Sequence, residues 1–321
     1  MPSPSSRLGV NELNQQFYDL DPSLYLTVRM THLALIATHD DEHAARLARG
    51  VEKDKLKLTL AGITESSPER PTPSQQFAAV EAEILLSHAA ETVLRYVYAH
   101  AEPSSCPWQR MAALTSAGKF KAWVENGLLE APDEQLDNVL VERLFVLDEN
   151  GRRCVRVLRR YIREFARLFL DANAYNAGKH GLGLSGGDAA IDVQIANSTA
   201  INGRGMALSY LSFEGSGDAR TWTHHTHLRS LEVCIGLVYA ATRLLDGIRD
   251  RGASEHLDAV VEPFAGVASL PSLLTALGYE HTQILAVERD IADDGRSPTV
   301  RVRTARLQAD WAPEPLDPDS A

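Results

Sequence analysis

Apolar residues recur at three- and four-residue steps through most of the chain, and at two-residue steps in a few short stretches. The clearest helical stripe lies in 152–180, where Val155, Leu158, Ile162, Phe165, Phe169 and Ala172 form one continuous line. Gly181 and Gly183 then stop the helix, as glycines past a helix end do. A second helix is predicted over 77–101, with Phe77, Val80, Ile84, Glu91, Leu94 and Tyr98 on one stripe, widened by Leu86, Val93 and Val97. Pro103 and Pro107 end it. Weaker helical spacing covers 107–126 and 133–147, the latter through Leu136, Leu140, Leu144 and Leu147. A last strong helix is predicted over 228–251, with Leu228, Leu231, Ile235, Val238, Thr242 and Leu245 on one face.

Alternating runs interrupt this helical pattern. IDVQI at 191–195 and MALSYLSFE at 206–214, followed by the turn GSGD and then ARTWTHH, predict a small antiparallel β-meander near 191–226. Two further strand-like runs, QILAVERD and TVRVRTARL, flank DDGRSP, with a short helix expected near 271–277. The fold class that follows is mainly α: a helical bundle with the meander inserted and a mixed α/β C-terminal extension. The expected organisation is a disordered 1–10, an N-terminal helical region over 11–65, a core over 75–251, an extension over 254–311 and a disordered tail over 312–321. The proline-rich SSPERPTPS separates the first region from the core.

Composition narrows the functional classes. With 321 residues and 44% hydrophobic content, the chain can bury a core without disulfides or metals. Cys106, Cys154 and Cys234 form no CxxC pair and suit reduced thiols, so a cytoplasmic location is expected. No secretory signal is read at the start, and the longest apolar run, 233–241, falls far short of the ~20 residues of a membrane helix. A net charge of −11 opposes broad non-specific binding to nucleic acid, which depends on Lys and Arg neutralising phosphates.

The candidate chemistry sits where the stripe of 152–180 runs out. Continued by one turn, it reaches Asn176 and then Lys179 or His180, so polar groups occupy positions the periodicity assigns to the interior. Asn176 and His180 are one turn apart and can converge on one small site. A long helix ending in YNAGKHG, preceded by a helix reading SHAAETVLRYVYAH, resembles the HEPN superfamily and is similar to bacterial proteins with the same Asn-x-x-Lys-His helix end. The resemblance covers roughly 77–182. It implies a helical bundle, a homodimer with its site at the interface, and RNA or a nucleotide as partner. Many members are metal-independent ribonucleases or nucleotide-binding subunits of toxin–antitoxin and defence systems.

Active members pair an arginine with a histidine, four to six residues standing between them, whereas here Asn173, Ala174 and Tyr175 hold the arginine positions. His180, Lys179 and Asn176 carry over as the catalytic candidates, with Tyr175, Glu91 and Arg95 in support. Arg95 or Arg167 is the candidate source of the missing guanidinium. In RNA transesterification His180 would serve as general acid or base, Lys179 would stabilise phosphorane charge, and Asn176 would orient the imidazole. The competing reading makes the Asn176–His180 pair a satisfied structural contact in a non-catalytic helical scaffold.

Other groups weigh less. His88, Glu91 and Arg95 share a helix face, where a structural ion pair is the commoner outcome. Arg156, Arg160, Arg163 and Arg167 line a basic face suited to an RNA backbone. The acidic segment with Asp133, Glu134, Asp137, Glu142, Asp148 and Glu149 is equally suited to neutralise it. GLGLSG at 181–186 matches GxGxxG but follows a helix and precedes a strand, the reverse of a dinucleotide site. His39 with His43, and His224, His225 and His227, lack the spacing of a known metal site, and in a strand His225 faces away from its neighbours. No cofactor or metal is therefore expected, and no HExxH or Walker A pattern is present.

Overall fold

The computed structural model describes residues 8–38, 51–53, 56–58, 73–114, 116–171, 185–195, 198–214, 221–228, 231–264, 270, 283–291 and 300–305. The described chain is mainly helical with antiparallel sheet, the fold class the periodicity predicts. Its contacts divide it into two compact units.

The first unit comprises residues 1–27, 87–171 and 237–273 and is helical where described. It holds α1 (Val10–Asp19), the start of α2 (Pro22–Thr38) and the second half of α3 (Pro73–His100). It continues through α4 (Pro107–Ala112), α5 (Ala117–Val124), α6 (Asp133–Val139), α7 (Glu149–Arg153) and α8 (Val155–Leu170). The last element is most of α9 (Leu231–Leu257). Val155, Leu158, Ile162 and Phe165 of α8 are buried, joined by Tyr161 and Ala166. Tyr161 donates its hydroxyl to the Leu270 carbonyl at 2.8 Å, which lets a full tyrosine be buried at no loss of hydrogen bonding. The predicted 133–147 helix has Leu136, Leu140 and Leu144 buried. It ends in a wider turn, Leu140–Leu144, closed by Phe145 N–H donating to the Leu140 carbonyl at 3.1 Å. A matching wide turn, Glu125–Leu129, follows α5.

Three expectations shift. In α3 the predicted face holds in the second half, where Leu86, Val93, Leu94 and Val97 are buried, but not at its start: Phe77 is 52% exposed, whereas Ala78, Ala82, Leu85 and Ala89 are buried. Alanines let neighbours approach closely yet add little to a hydrophobicity pattern, so the larger side chains misplace the face. The long helix of 152–180 is broken at Cys154 and described only to Leu170, with Asp171 as its C-cap. Leu228 belongs to a strand, and α9 runs on to Leu257.

The second unit comprises 28–86, 172–236 and 274–321. Residues 51–53 and 56–58, where helix is predicted, pair as the short antiparallel strands β1 and β2. A five-stranded antiparallel sheet follows, ordered β3 (Ser185–Ile195), β4 (Ser198–Glu214), β5 (Thr221–Leu228), β6 (Gln283–Ile291) and β7 (Val300–Ala305). The meander thus starts earlier than 191, and the strands of the C-terminal extension join its edge. The small residues of STAINGRG leave no alternation to read, yet they form the first half of β4. The short helix expected near 271–277 lies outside the described residues. Gly186 sits where α3 meets the sheet: an added Cβ there would lie 2.7 Å from the Gln76 carbonyl oxygen. Only glycine permits that approach.

Candidate functional site

Asn176, Lys179, His180 and Tyr175 lie outside the described residues, as do His39 and His43. What is described is the frame that leads to them. The last turn of α8 carries Phe169, whose ring centroid lies 5.0 Å from that of Phe120 on α5. On Phe120 rests the guanidinium of Arg95 from α3, 4.9 Å from the ring centroid. An arginine over an aromatic face is held by the ring quadrupole as well as by packing. Arg95 is further fixed by Glu91, one turn earlier, at 2.7 Å. Glu91 and the Phe120 ring therefore fix Arg95, and the same ring meets Phe169 in the last turn of α8.

Trp123 stacks on Phe120 and meets Tyr98 edge-on at 5.0 Å, and Arg110 lies 4.8 Å over the Tyr98 ring. This aromatic layer keeps α3, α5 and the end of α8 in register. Arg167, the other candidate guanidinium, is largely exposed and pairs with Glu164 at 3.3 Å. Its position depends on a surface contact worth little.

Part of the basic face of α8 is spent internally. Arg163 reaches Asp133 at 2.6 Å and also donates to the carbonyls of Leu128 and Ala131. Arg159 bridges Asp133 and Asp137. The Arg163 guanidinium, followed by Arg159, holds the Asp133 carboxyl below its usual range. The acidic segment thus pairs with Arg159 and Arg163, and Arg159, not marked by the sequence stripe, carries two of the ion pairs.

Two features have no sequence signal. A cleft of about 590 Å³ opens beside α6, lined by Ala101, Pro103, Pro132, Asn138, Glu142 and Arg143 among others. Glu134 also lines it, so two carboxylates oppose an anionic ligand there.

The second feature is a buried histidine. His100 Nδ1–H donates to the Tyr96 carbonyl at 2.8 Å, which makes Nε2 the acceptor for the Tyr18 hydroxyl at 2.9 Å. Burial, before any neighbouring charge, drives the His100 pKa down to about 4 and raises that of Tyr18. Gly252 closes the site: a Cβ there would stand 2.5 Å from the Tyr18 hydroxyl. A neutral, sealed imidazole cannot exchange protons with a substrate, so this group is structural. Tyr18 and His100 are 82 residues apart, which is why no spacing announces them.

In the sheet, His225 and His227 are buried on one face and His224 lies on the other. The expectation that His225 faces away from its neighbours holds for His224 and Thr226 and fails for His227, two residues on, because side chains alternate with period two. Tyr210 stacks on His225 with ring centroids 4.6 Å apart, and its hydroxyl lies 3.0 Å from His227 Nε2. Ser212 hydrogen bonds with His225 Nε2 at 2.7 Å. Of the GLGLSG motif only its last two residues are described, and they begin β3, not a helix.

No family model, curated protein or solved structure matches the chain. Among the described residues no helix is long and apolar enough to cross a membrane.

Proposed function

We propose that the chain is a HEPN-like protein that binds RNA or a nucleotide at the end of α8 and cleaves RNA there without a metal, with His180, Lys179 and Asn176 as its working groups. The observation that carries the proposal is Arg95. The sequence motif lacks the arginine that should precede its histidine, and a guanidinium from α3 rests on Phe120, whose ring also meets Phe169 in the last turn of α8. Arg95 is oriented by Glu91 and by a ring face, so its position does not depend on the ligand.

In the reaction this supports, His180 removes the proton of the ribose 2′-hydroxyl, and the oxygen bonds to the adjacent phosphorus. The bond from phosphorus to the 5′-oxygen breaks, and that oxygen leaves with the proton that the His180 imidazolium took from the 2′-hydroxyl. Products are a 2′,3′-cyclic phosphate and a 5′-hydroxyl. Lys179 and Arg95 stabilise charge on the phosphorane oxygens, and Asn176 orients the imidazole. A second copy of the chain is the expected partner, and the outward side of α2 supports it: Leu24, Tyr25, Val28 and Leu35 are each about half exposed and uncharged.

The test is cleavage of a mixed-sequence RNA by wild type and His180→Ala, with and without EDTA, with thermal unfolding measured in parallel. The proposal expects cyclic-phosphate products from wild type in EDTA and a loss of roughly 10²–10⁴-fold in the variant at unchanged melting temperature. No cleavage by either protein, with a large drop in melting temperature for the variant, favours the second reading, a helical scaffold. The internal pairing of Arg159 and Arg163 is the observation on its side.

A further inference from the structure

One narrow face holds the N-terminal helix to the helical unit. α1 is 10 residues long, a length at which an isolated helix is marginal in water, so it depends on what it packs against. Its buried residues are Asn14, Phe17 and Tyr18. Asn14 donates a side-chain N–H to the Ser105 carbonyl at 2.9 Å. Phe17 stacks on Tyr96 of α3 with ring centroids 5.3 Å apart and lies 6.2 Å from Trp108 of α4. After Asp19 the chain turns extended at Leu20, which gives the helix a hinge.

Tyr18 joins α1 to a titratable cluster within the same compact unit. Its hydroxyl meets His100 Nε2 at 2.9 Å, and its ring stacks on His256 of α9 at 5.9 Å. The other titratable or charged groups around this pair are Tyr96 on α3, Cys106 and Arg110 before and on α4, and Glu255 on α9. His256 and Arg110 oppose a positive charge on His100, whereas Glu255 favours one. Glu255 also lies 3.8 Å from Arg143.

A proton on His100 turns Nε2 from acceptor into donor. The Tyr18 hydroxyl would then have to accept, leaving its own proton in a space too tight for a methyl group, since a Cβ on Gly252 would stand 2.5 Å from that oxygen. Hydrating the imidazolium requires removing a cover, and α1 is a cover with a hinge at its end. We propose that α1 is an acid-released latch: a proton on His100, assisted by one on His256, parts Tyr18 from the cluster and lets α1 turn out about Leu20 while α8 stays folded. The release uncovers Tyr96 and Trp108, the rings on which Phe17 sits. Latched His100 titrates near 4, below its ordinary 6.5, so the open form takes up the proton first as pH falls. Latching is fully present above about 6.5 and weakens by up to about tenfold per pH unit from there down to 4.

The experiment is hydrogen–deuterium exchange of the full chain, read on peptides covering α1 and α8 at pH 7 and pH 4.5 and corrected for intrinsic rates. Wild type, His100→Gln and Tyr18→Phe are compared. In wild type the proposal expects α1 to be less protected than α8 at both pH values. It also expects α1 protection to fall by about 50-fold or more on acidification, with α8 still protected. In His100→Gln that fall should shrink to about a few-fold, the share left to His256. Tyr18→Phe should lower α1 protection about tenfold already at pH 7, and it keeps the latch testable if His100→Gln does not fold. Equal protection of α1 and α8 in wild type, meaning that α1 leaves only with the whole unit, overturns the proposal. So does an acid fall of the same size in His100→Gln, or wild-type protection of α1 at pH 7 in Tyr18→Phe.

Discussion

His100 and the pair His225–His227 show how differently the two units treat a buried imidazole. In the helical unit His100 is met from both sides by fixed groups of the same unit, a carbonyl one turn back and a tyrosine hydroxyl, and Gly252 seals it. Helix packing thus gives each polar group its own pair of partners. In the sheet, alternation places His225 and His227 on one face and cross-strand register adds Tyr210 and Glu288 to the row. A sheet collects polar groups into an array, whereas a helical pocket locks one tautomer. That contrast is why a structural role is assigned to His100.

The comparison is broken most forcefully in the helical core. Phe165→Ala on α8 should cost about 3–5 kcal/mol, because a fully buried ring leaves a cavity. Leu211→Ala, half exposed on the sheet, should cost well under that; denaturant midpoints of the two variants measure the difference. Comparable losses at both positions would mean the core is misplaced.

Acid should sharpen the contrast next. Burial holds folded His100 near 4, below its ordinary 6.5, so the unfolded chain takes up the proton first as pH falls. Stability from this group is fully present above about 6.5 and falls by roughly 3 kcal/mol as pH drops to 4. His256, also lowered by burial, acts in the same direction. Unfolding free energies at pH 7 and pH 4.5 for wild type and His100→Gln test this, and an identical pH slope in the two would rule it out. Tyr18→Phe is the gentler perturbation, expected to cost about 1–2 kcal/mol through the unsatisfied His100 Nε2. A variant as stable as wild type would show that the hydroxyl contact contributes nothing.

What the sequence could reveal follows from the range of the forces involved. The buried line Leu158–Ile162–Phe165 repeats with the helix and was legible, as were Leu136, Leu140 and Leu144. The alanine face of α3 was not, because close approach rather than hydrophobicity selects it. The frame of the candidate site was legible only in part. Glu91 and Arg95 are one turn apart and pair as spacing suggests, but the role of Phe120 between Arg95 and Phe169 is tertiary. Likewise the partnership of His225 with Glu288 depends on register between strands separated by α9, which no local pattern encodes.

The central claim is that Arg95 supplies the charge the motif lacks, and single-turnover RNA cleavage by Arg95→Gln beside wild type tests it most directly. With melting temperatures within a degree or two of each other, the account predicts a loss of about 10²-fold or more, the scale of removing one group that stabilises developing charge. Cleavage by Arg95→Gln at the wild-type rate would contradict it.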